Sequence, residues 1–226
     1  MLISAGLDSA VLAAAEARTS RVHPIYVSAG LAWEPQERAA LQTLLALPPL
    51  AGRTAPLALL TFTVSDLYPA THWALRGTPP AFDTPDEDVY LVGRNVSLLS
   101  KAAIHCAQQR ISRLVLGPLA GNPFPDASPE FFDAMARALS LGLAHSIAIE
   151  TPFASREKSE VIRLGMELGV PLELTLSCMN PRLRQGYGGQ ARPEHCGECS
   201  KCRERRDAFH EAGVEDPTTY AAVPLR

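Results

Sequence analysis

The first residues with chemistry in them form one short stretch, Ser4-Ala5-Gly6-Leu7-Asp8-Ser9, between a scrap of apolar strand, Leu2-Ile3, and an alanine-rich run through Ala17. A small, hydroxyl-bearing, glycine-containing turn that opens a helix is an anion site. The helix N-terminus presents unpaired backbone N–H groups and a partial positive charge, and Ser4 and Ser9 add hydroxyl donors. Gly6 admits a ligand close to the backbone. Asp8 is the exception, because a carboxylate beside a phosphate repels it unless a cation such as Mg²⁺ lies between them. The plain alternative is that Ser and Asp merely cap the helix. No Lys-Ser/Thr pair follows the turn, which argues against a Walker-type phosphate loop.

A second set of residues lies near the end. Cys178 is followed by Cys196-Gly197-Glu198-Cys199-Ser200-Lys201-Cys202, four of the chain's five cysteines. Three cysteines in seven residues plus one distant partner is the pattern of tetrahedral zinc closed by four ligands. An iron–sulfur cluster uses the same ligands, and disulfides are the weaker third option in a reducing cytoplasm. Cys106, midway through an apolar helix, reads as a core thiol. Lys201, Arg203, Arg205 and Arg206 either offset the thiolate charge or form a basic patch, and the net charge of -3 disfavours nucleic acid.

Alternating elements must position these groups. Helices are expected from Asp8 to Ala17, Pro35 to Leu47, Val96 to Gln109, Ser128 to Leu141 and Ser155 to Leu168. Strands are expected at Leu2-Ile3, Val22–Val27, Leu57–Val64, Arg113–Gly117 and Ile147–Pro152, with a strand-like Val89–Val92 delivering the chain to Arg94-Asn95. Such alternation predicts an α/β fold with a mostly parallel, doubly wound, Rossmann-like sheet, whose ligands gather at the carboxyl ends of the strands. The first turn, Arg94-Asn95 and Asp126 would then share one crevice. Arg94 and Asn95 read either as a solvated cation and a helix cap or as groups aimed at a phosphate or carboxylate. Asp126 reads either as the cap of its own following helix or as a carboxylate acceptor facing that crevice. Tyr68–Asp88, rich in proline and acid, is expected to be a lid, a binding segment or disordered, and Arg182–Gln190 a flexible glycine-rich loop.

At 226 residues, 46% hydrophobic and 20% charged, the chain has the composition of an ordinary globular protein. It divides into an α/β unit, 1–175, and a small four-cysteine appendage, 176–226. No run of about 18 apolar residues suggests a membrane span. The phosphate turn at the amino end is expected to leave no room for a secretory leader, so a cytoplasmic protein is expected.

The turn Ser4-Ala5-Gly6-Leu7-Asp8-Ser9 resembles the Ser-Gly-Gly-x-Asp-Ser loop of the pyrophosphatase-loop ATP enzymes, with Ala5 in place of the first glycine. Alanine is tolerable there where its φ is negative. From end to end the chain resembles the 7-cyano-7-deazaguanine synthases. The matching stretches are Arg94-Asn95 at a helix entrance, Phe124-Pro125-Asp126 to Pro129-Glu130-Phe131, Glu150-Thr151-Pro152, Leu168-Gly169-Val170-Pro171, Ser177-Cys178 and the cysteine tail running to Arg205. That resemblance implies the adenine nucleotide alpha hydrolase-like fold, zinc on Cys178, Cys196, Cys199 and Cys202, and ATP with Mg²⁺ around Ile3, Ser4, Ala5, Gly6, Leu7, Asp8, Ser9, Ala10 and Val11. It implies Asp8, Ser9, Arg94 and Lys158 as catalytic residues, and Arg94, Asn95 and Asp126 against the substrate. The implied reaction joins a small carboxylate, 7-carboxy-7-deazaguanine, with ammonia at the cost of ATP, without direct contact to nucleic acid or membrane and in a chain that could pair as a homodimer. The family's Asp-Tyr-Gly-Gln is replaced here by Ser28-Ala29-Gly30-Leu31-Ala32-Trp33-Glu34, which leaves open another carboxylate acceptor. A tRNA base acceptor and a non-catalytic zinc-stabilised module are the remaining alternatives.

Overall fold

The computed structural model describes residues 1–185 and 191–222. Helix α1 (Leu7–Glu16) follows the first turn, then strand β1 (Ile25–Ser28), α2 (Glu34–Leu45), β2 (Ala58–Thr61), the short α3 (Trp73–Arg76) and α4 (Arg94–Gln108). Next come β3 (Arg113–Val115), α5 (Pro129–Leu143), β4 (Ala148–Glu150), α6 (Lys158–Glu167), β5 (Arg182–Gln185), β6 (Ala191–Glu194) and α7 (Ser200–Ala212).

Two parallel ladders carry the α/β core. Tyr26 of β1 pairs with Leu59 of β2, and Leu114 of β3 with Ile149 of β4. The amino terminus runs between them: Ile3 N–H donates to the Ile25 carbonyl at 3.0 Å, and Leu2 N–H to the Val115 carbonyl at 2.9 Å. Side chains alternate between two apolar clusters, as strand geometry requires. Ile25 and Val27, with Leu2 and Leu114, pack with Leu99, Ala103 and Phe132 of α4 and α5. Tyr26, Ile3 and Val115 join α1, α2 and α6 in the other cluster.

Helix α1 is built from small residues because it is crowded. Ala10, Val11, Leu12, Ala13 and Ala14 are all buried, and α6 packs on it through Gly165. A Cβ there would lie 2.8 Å from Val11 Cγ2 and 3.0 Å from Leu172 Cδ2, too close for any side chain to fit without displacing its neighbours.

Three segments differ from the pattern expected of them. Val89–Val92 forms no strand: a 3-10 turn, Asp86–Val89, leads instead into Gly93 at φ 76°, a left-handed residue that ends any extended run and opens α4. Part of Tyr68–Asp88 is helical, with His72 capping α3 through its ring nitrogen at 3.2 Å. Arg182–Gln185 and Ala191–Glu194 are the arms of an antiparallel hairpin rather than a loop, and Gly186–Gln190 lie outside the described residues. No helix among the described residues is long and apolar enough to cross a membrane.

Candidate active site

Hydroxyls close the first turn on itself. Gly6 N–H donates to Ser4 Oγ at 3.0 Å, Ser4 N–H to Ser9 Oγ at 3.2 Å, and Ser9 Oγ to the Ser4 carbonyl at 2.9 Å. The N-cap of α1 is Gly6, and no side chain caps the helix. The simple capping explanation for Ser4 and Ser9 therefore does not hold, and the electropositive mouth of α1 has no side-chain cap. Ala5 is not among the left-handed residues, so alanine sits there without backbone strain. Ala5, Ala10 and Val11 lie in the core beneath the turn and line neither of the cavities described next.

Two cavities meet over this turn. The larger, about 610 Å³, is lined by Ser4, Gly6, Leu7, Asp8, Arg94 and Lys158 together with Trp33, Lys201 and Glu204. The smaller, about 280 Å³, is lined by Ile3, Ser4, Ser9, Arg94, Asn95 and Asp126. Ser4, Glu37 and Arg94 border both.

Lys158 opens α6, behind a capping box in which Glu157 and Glu160 satisfy the first amides. Its Nζ lies 3.5 Å from Asp8 Oδ2 and also contacts Glu204 of α7. Burial alone would lower its pKa, but the charges of Asp8 and Glu204 outweigh it and hold the ammonium on. Burial raises the pKa of Asp8, against the pull of Lys158. Asp8 Oδ1 is buried without a partner, an acceptor placed to take a cation. Glu204 is also pushed up by burial, yet Lys158 and Lys201 prevail and bring it down to about 2.

Arg94 and Asn95 are the first two residues of α4. Asp126, 6% exposed, caps that helix: its Oδ2 accepts Asn95 N–H at 3.0 Å, and its carbonyl accepts Asn95 Nδ2 at 2.8 Å. Helix α5 has its own cap in Ser128, whose Oγ accepts Phe131 N–H at 3.1 Å, so Asp126 does not cap the helix that follows it. Burial raises the pKa of Asp126, opposed by the Asn95 amide and Arg94. Arg94 Nε is buried and unpartnered, while Glu37, whose carboxylate accepts Tyr26 Oη–H at 2.7 Å, borders the same two cavities, its pKa raised by burial against the pull of Arg94.

Stacked aromatic pairs wall both cavities. Trp33 stacks on Trp73 at 5.8 Å and 12° beside the larger cavity, and Tyr90 on Phe124 at 5.3 Å beside the smaller. Glu34 accepts from Ala29 N–H, Gly30 N–H and Ser28 Oγ, so the Ser28–Glu34 turn is tied by its own carboxylate. Trp33 and Phe124 fall in the Ser28–Glu34 and Phe124–Phe131 stretches that the sequence marks, whereas Trp73 and Tyr90 carry no such signal of their own, because an aromatic residue has no periodic signature that makes it a wall.

The family model described as "Queuosine biosynthesis protein QueC" matches residues 1–213. The chain belongs to this family. It is similar to the 7-cyano-7-deazaguanine synthase of Methanopyrus kandleri, 36% identical over 97% of each chain. It is likewise similar to those of Acidobacterium capsulatum, 33% identical over 97% of this chain and 94% of the other, and Anaeromyxobacter dehalogenans, 32% identical over 98% and 94%.

In this member of the QueC family the tail cysteines converge. The sulfurs of Cys178, Cys196, Cys199 and Cys202 all lie within 4.8 Å of one another, and all four residues are buried. Close approaches of 3.5 Å (Cys199 to Cys202) and 3.9 Å (Cys199 to Cys178, Cys196 to Cys202) bracket the separation of about 3.8 Å that a tetrahedron with bonds of about 2.3 Å requires. Backbone amides point at the sulfurs: Cys196 N–H to Cys178 Sγ at 3.2 Å, Asn180 N–H to the same sulfur at 3.3 Å, and Glu198 N–H to Cys196 Sγ at 3.4 Å. Donors of this kind favour thiolates, so the group fits a metal ion. Gly197 is obligatory, since at φ 82° its Cβ would meet the Ala222 carbonyl oxygen at 1.8 Å.

Proposed function

We propose that this chain is an ATP-dependent nitrile synthase that converts 7-carboxy-7-deazaguanine and ammonia to 7-cyano-7-deazaguanine in queuosine-type nucleoside biosynthesis. The observation that carries the reading is the meeting of the two cavities at Ser4, Glu37 and Arg94, because an adenylation needs a nucleotide and an acceptor with one shared boundary. ATP occupies the larger cavity with its phosphates at the mouth of α1, and the planar acceptor the smaller.

The acceptor carboxylate attacks the α-phosphorus of ATP and pyrophosphate leaves, giving an acyl adenylate. Ammonia attacks the carbonyl carbon, AMP leaves, and a proton is lost to give the amide. The amide oxygen then attacks a second ATP, pyrophosphate leaves again, and loss of AMP with two protons yields the nitrile. Both displacements build charge on departing pyrophosphate. The amides of Leu7, Asp8 and Ser9 at the start of α1 and the Lys158 ammonium are set to stabilise it. Arg94, with its free Nε, orients the carboxylate. Asn95 and Asp126 fix the start of α4 that carries it. Mg²⁺, held by the unpartnered Asp8 oxygen and the phosphates, would supply further neutralisation of the leaving group.

Zinc on the four cysteines fixes the 176–226 appendage to the 1–175 unit, in which the two ladders and the Met1–Ile3 segment act as one doubly wound sheet. The reading places the protein in the cytoplasm, makes no use of nucleic acid or membrane, and retains the homodimer as an expectation for light scattering. A second reading, another small carboxylate as acceptor, is favoured by the Ser28–Glu34 turn, whose carboxylate is engaged within the turn beside the smaller cavity. Pyrophosphate release measured with ammonia and 7-carboxy-7-deazaguanine, beside a panel of other carboxylates, separates the two. Release with 7-carboxy-7-deazaguanine is expected, and release only with another acid would reject it.

A further inference from the structure

Helix α7 brings five charged residues to the larger cavity, Lys201, Arg203, Glu204, Asp207 and Glu211, and two of them, Lys201 and Glu204, join the Lys158 cluster. Glu204 uses its oxygens on different lysines: Oε1 contacts Lys158 Nζ of α6, and Oε2 takes Lys201 Nζ at 2.5 Å. With Lys158 also 3.5 Å from Asp8, a line of alternating charge, Asp8, Lys158, Glu204, Lys201, runs from the first turn to the cysteine helix. The side chains of Lys158, Glu204 and Lys201 are only 15%, 24% and 25% exposed, so solvent screens them less than a surface pair.

An ordinary i,i+3 pair on a helix is the competing explanation for Lys201 and Glu204. Two features go beyond it. Glu204 reaches across to a second element, and Lys201 lies in the first turn of α7, where the helix dipole disfavours a cation and no acidic residue accompanies it. Lys158 and Lys201 thus stand at the edge of the cleft on the two oxygens of one carboxylate, Glu204.

We propose that Lys201 is a second cation of the phosphate site, and that Glu204 is a positioning residue holding Lys158 and Lys201 side by side until the polyphosphate takes them; this rests on the ATP-dependent reading. The two carboxylates and two ammoniums balance without a ligand. When pyrophosphate or the outer phosphates of ATP enter, Glu204 yields its lysines to phosphate oxygens, and the cysteine-anchored helix thereby contributes directly to leaving-group binding. No bond is made or broken in this exchange.

Calorimetric titration of inorganic pyrophosphate, ATP and AMP, each with Mg²⁺, into the wild type and into Lys201→Met, Lys201→Arg and Glu204→Gln tests the idea, with bound metal counted in every variant to show that the cysteine site is intact. Lys201→Met is expected to weaken pyrophosphate and ATP by about tenfold, the loss of one charge-assisted contact. AMP, which lacks the outer phosphates, is expected to stay within about twofold, and Lys201→Arg to recover most of the loss. Glu204→Gln removes the competing carboxylate and is expected to tighten pyrophosphate by about threefold while kcat falls, because the lysines are no longer held together. Unchanged pyrophosphate affinity in both Lys201→Met and Glu204→Gln, with ATP binding to the wild type, would overturn this inference alone. Failure of the wild type to bind either ATP or pyrophosphate would overturn it together with the ATP-dependent reading.

Discussion

Asp126 Oδ2 accepts the backbone N–H of Asn95 at 3.0 Å, across 31 residues of sequence. One carboxylate, from the segment before α5, thus caps the helix that begins with Arg94 and Asn95, and both partners line the smaller cavity. Asp126→Ala is expected to cost about 1–2 kcal/mol, the loss of a buried cap, read as a lower urea midpoint at constant slope. The acceptor KM is expected to rise while the ATP KM stays near wild type, and Asp126→Asn, which keeps an acceptor oxygen, to recover most of the stability. Equal changes in both KM values would mean that the cap serves the whole cleft.

The pair Asp8 and Lys158 sets a pH dependence. Burial raises Asp8 above its ordinary 3.8, with Lys158 pulling the other way. The folded chain therefore takes up this proton earlier than the unfolded one, and the relative stability gained as pH falls through the raised pKa is complete below 3.8. Function runs in the opposite sense, since a cation site needs the carboxylate. The kcat/KM for ATP is expected to fall on the acid side with an apparent pKa above 3.8. Lys158→Met removes the charge that opposes the rise, so the limb is expected to move to higher pH. A limb that stays in place would separate the two residues functionally.

Lys158 itself behaves as a cation locked by its partners. Burial would lower its pKa, but Asp8 and Glu204 raise it above 10.5, so its contribution to stability is complete below 10.5 and is lost as pH rises through the folded value. Thermal unfolding of the wild type and Lys158→Met is expected to differ at neutral pH and to converge in strong alkali.

Metal removal is expected to reach the cleft as well as the tail. Arg203 of α7 donates from Nη1 to the carbonyls of Phe82 and Thr84 at 2.7 Å each and from Nη2 to Asp86 at 3.1 Å, so the cysteine helix holds the proline-rich wall. Chelation or Cys199→Ser is expected to lower Tm by roughly 5–10 °C, about 2–3 kcal/mol for a chain of this size, and to speed proteolysis between residues 78 and 86. Proteolysis confined to the tail would show the wall to be independent of the metal.

Much of this was legible in the sequence where the signal is local. The first turn and α1, the Ser128 cap with Pro129, and the four cysteines all declare themselves within a few residues, because caps and ligand spacings are short-range chemistry. What stayed hidden depends on distant partners. Nothing near Asp126 says that it caps α4 rather than α5. Val89–Val92 has a strand's composition, and only the left-handed Gly93 and the preceding 3-10 turn decide otherwise. The arms of the 182–194 hairpin were masked by the glycines between them, and Lys201 read only as a cation offsetting thiolate charge or part of a basic patch, since its partner Glu204 and the nearby Lys158 of α6 are joined to it only in the fold.

The most direct test of the central claim is the stoichiometry of the complete reaction. With 7-carboxy-7-deazaguanine, ammonium, ATP and Mg²⁺, mass spectrometry is expected to find the nitrile, with two pyrophosphates released for each one formed and none formed without ammonium. Pyrophosphate release that never yields a nitrile, or a nitrile formed without ATP consumption, would contradict it.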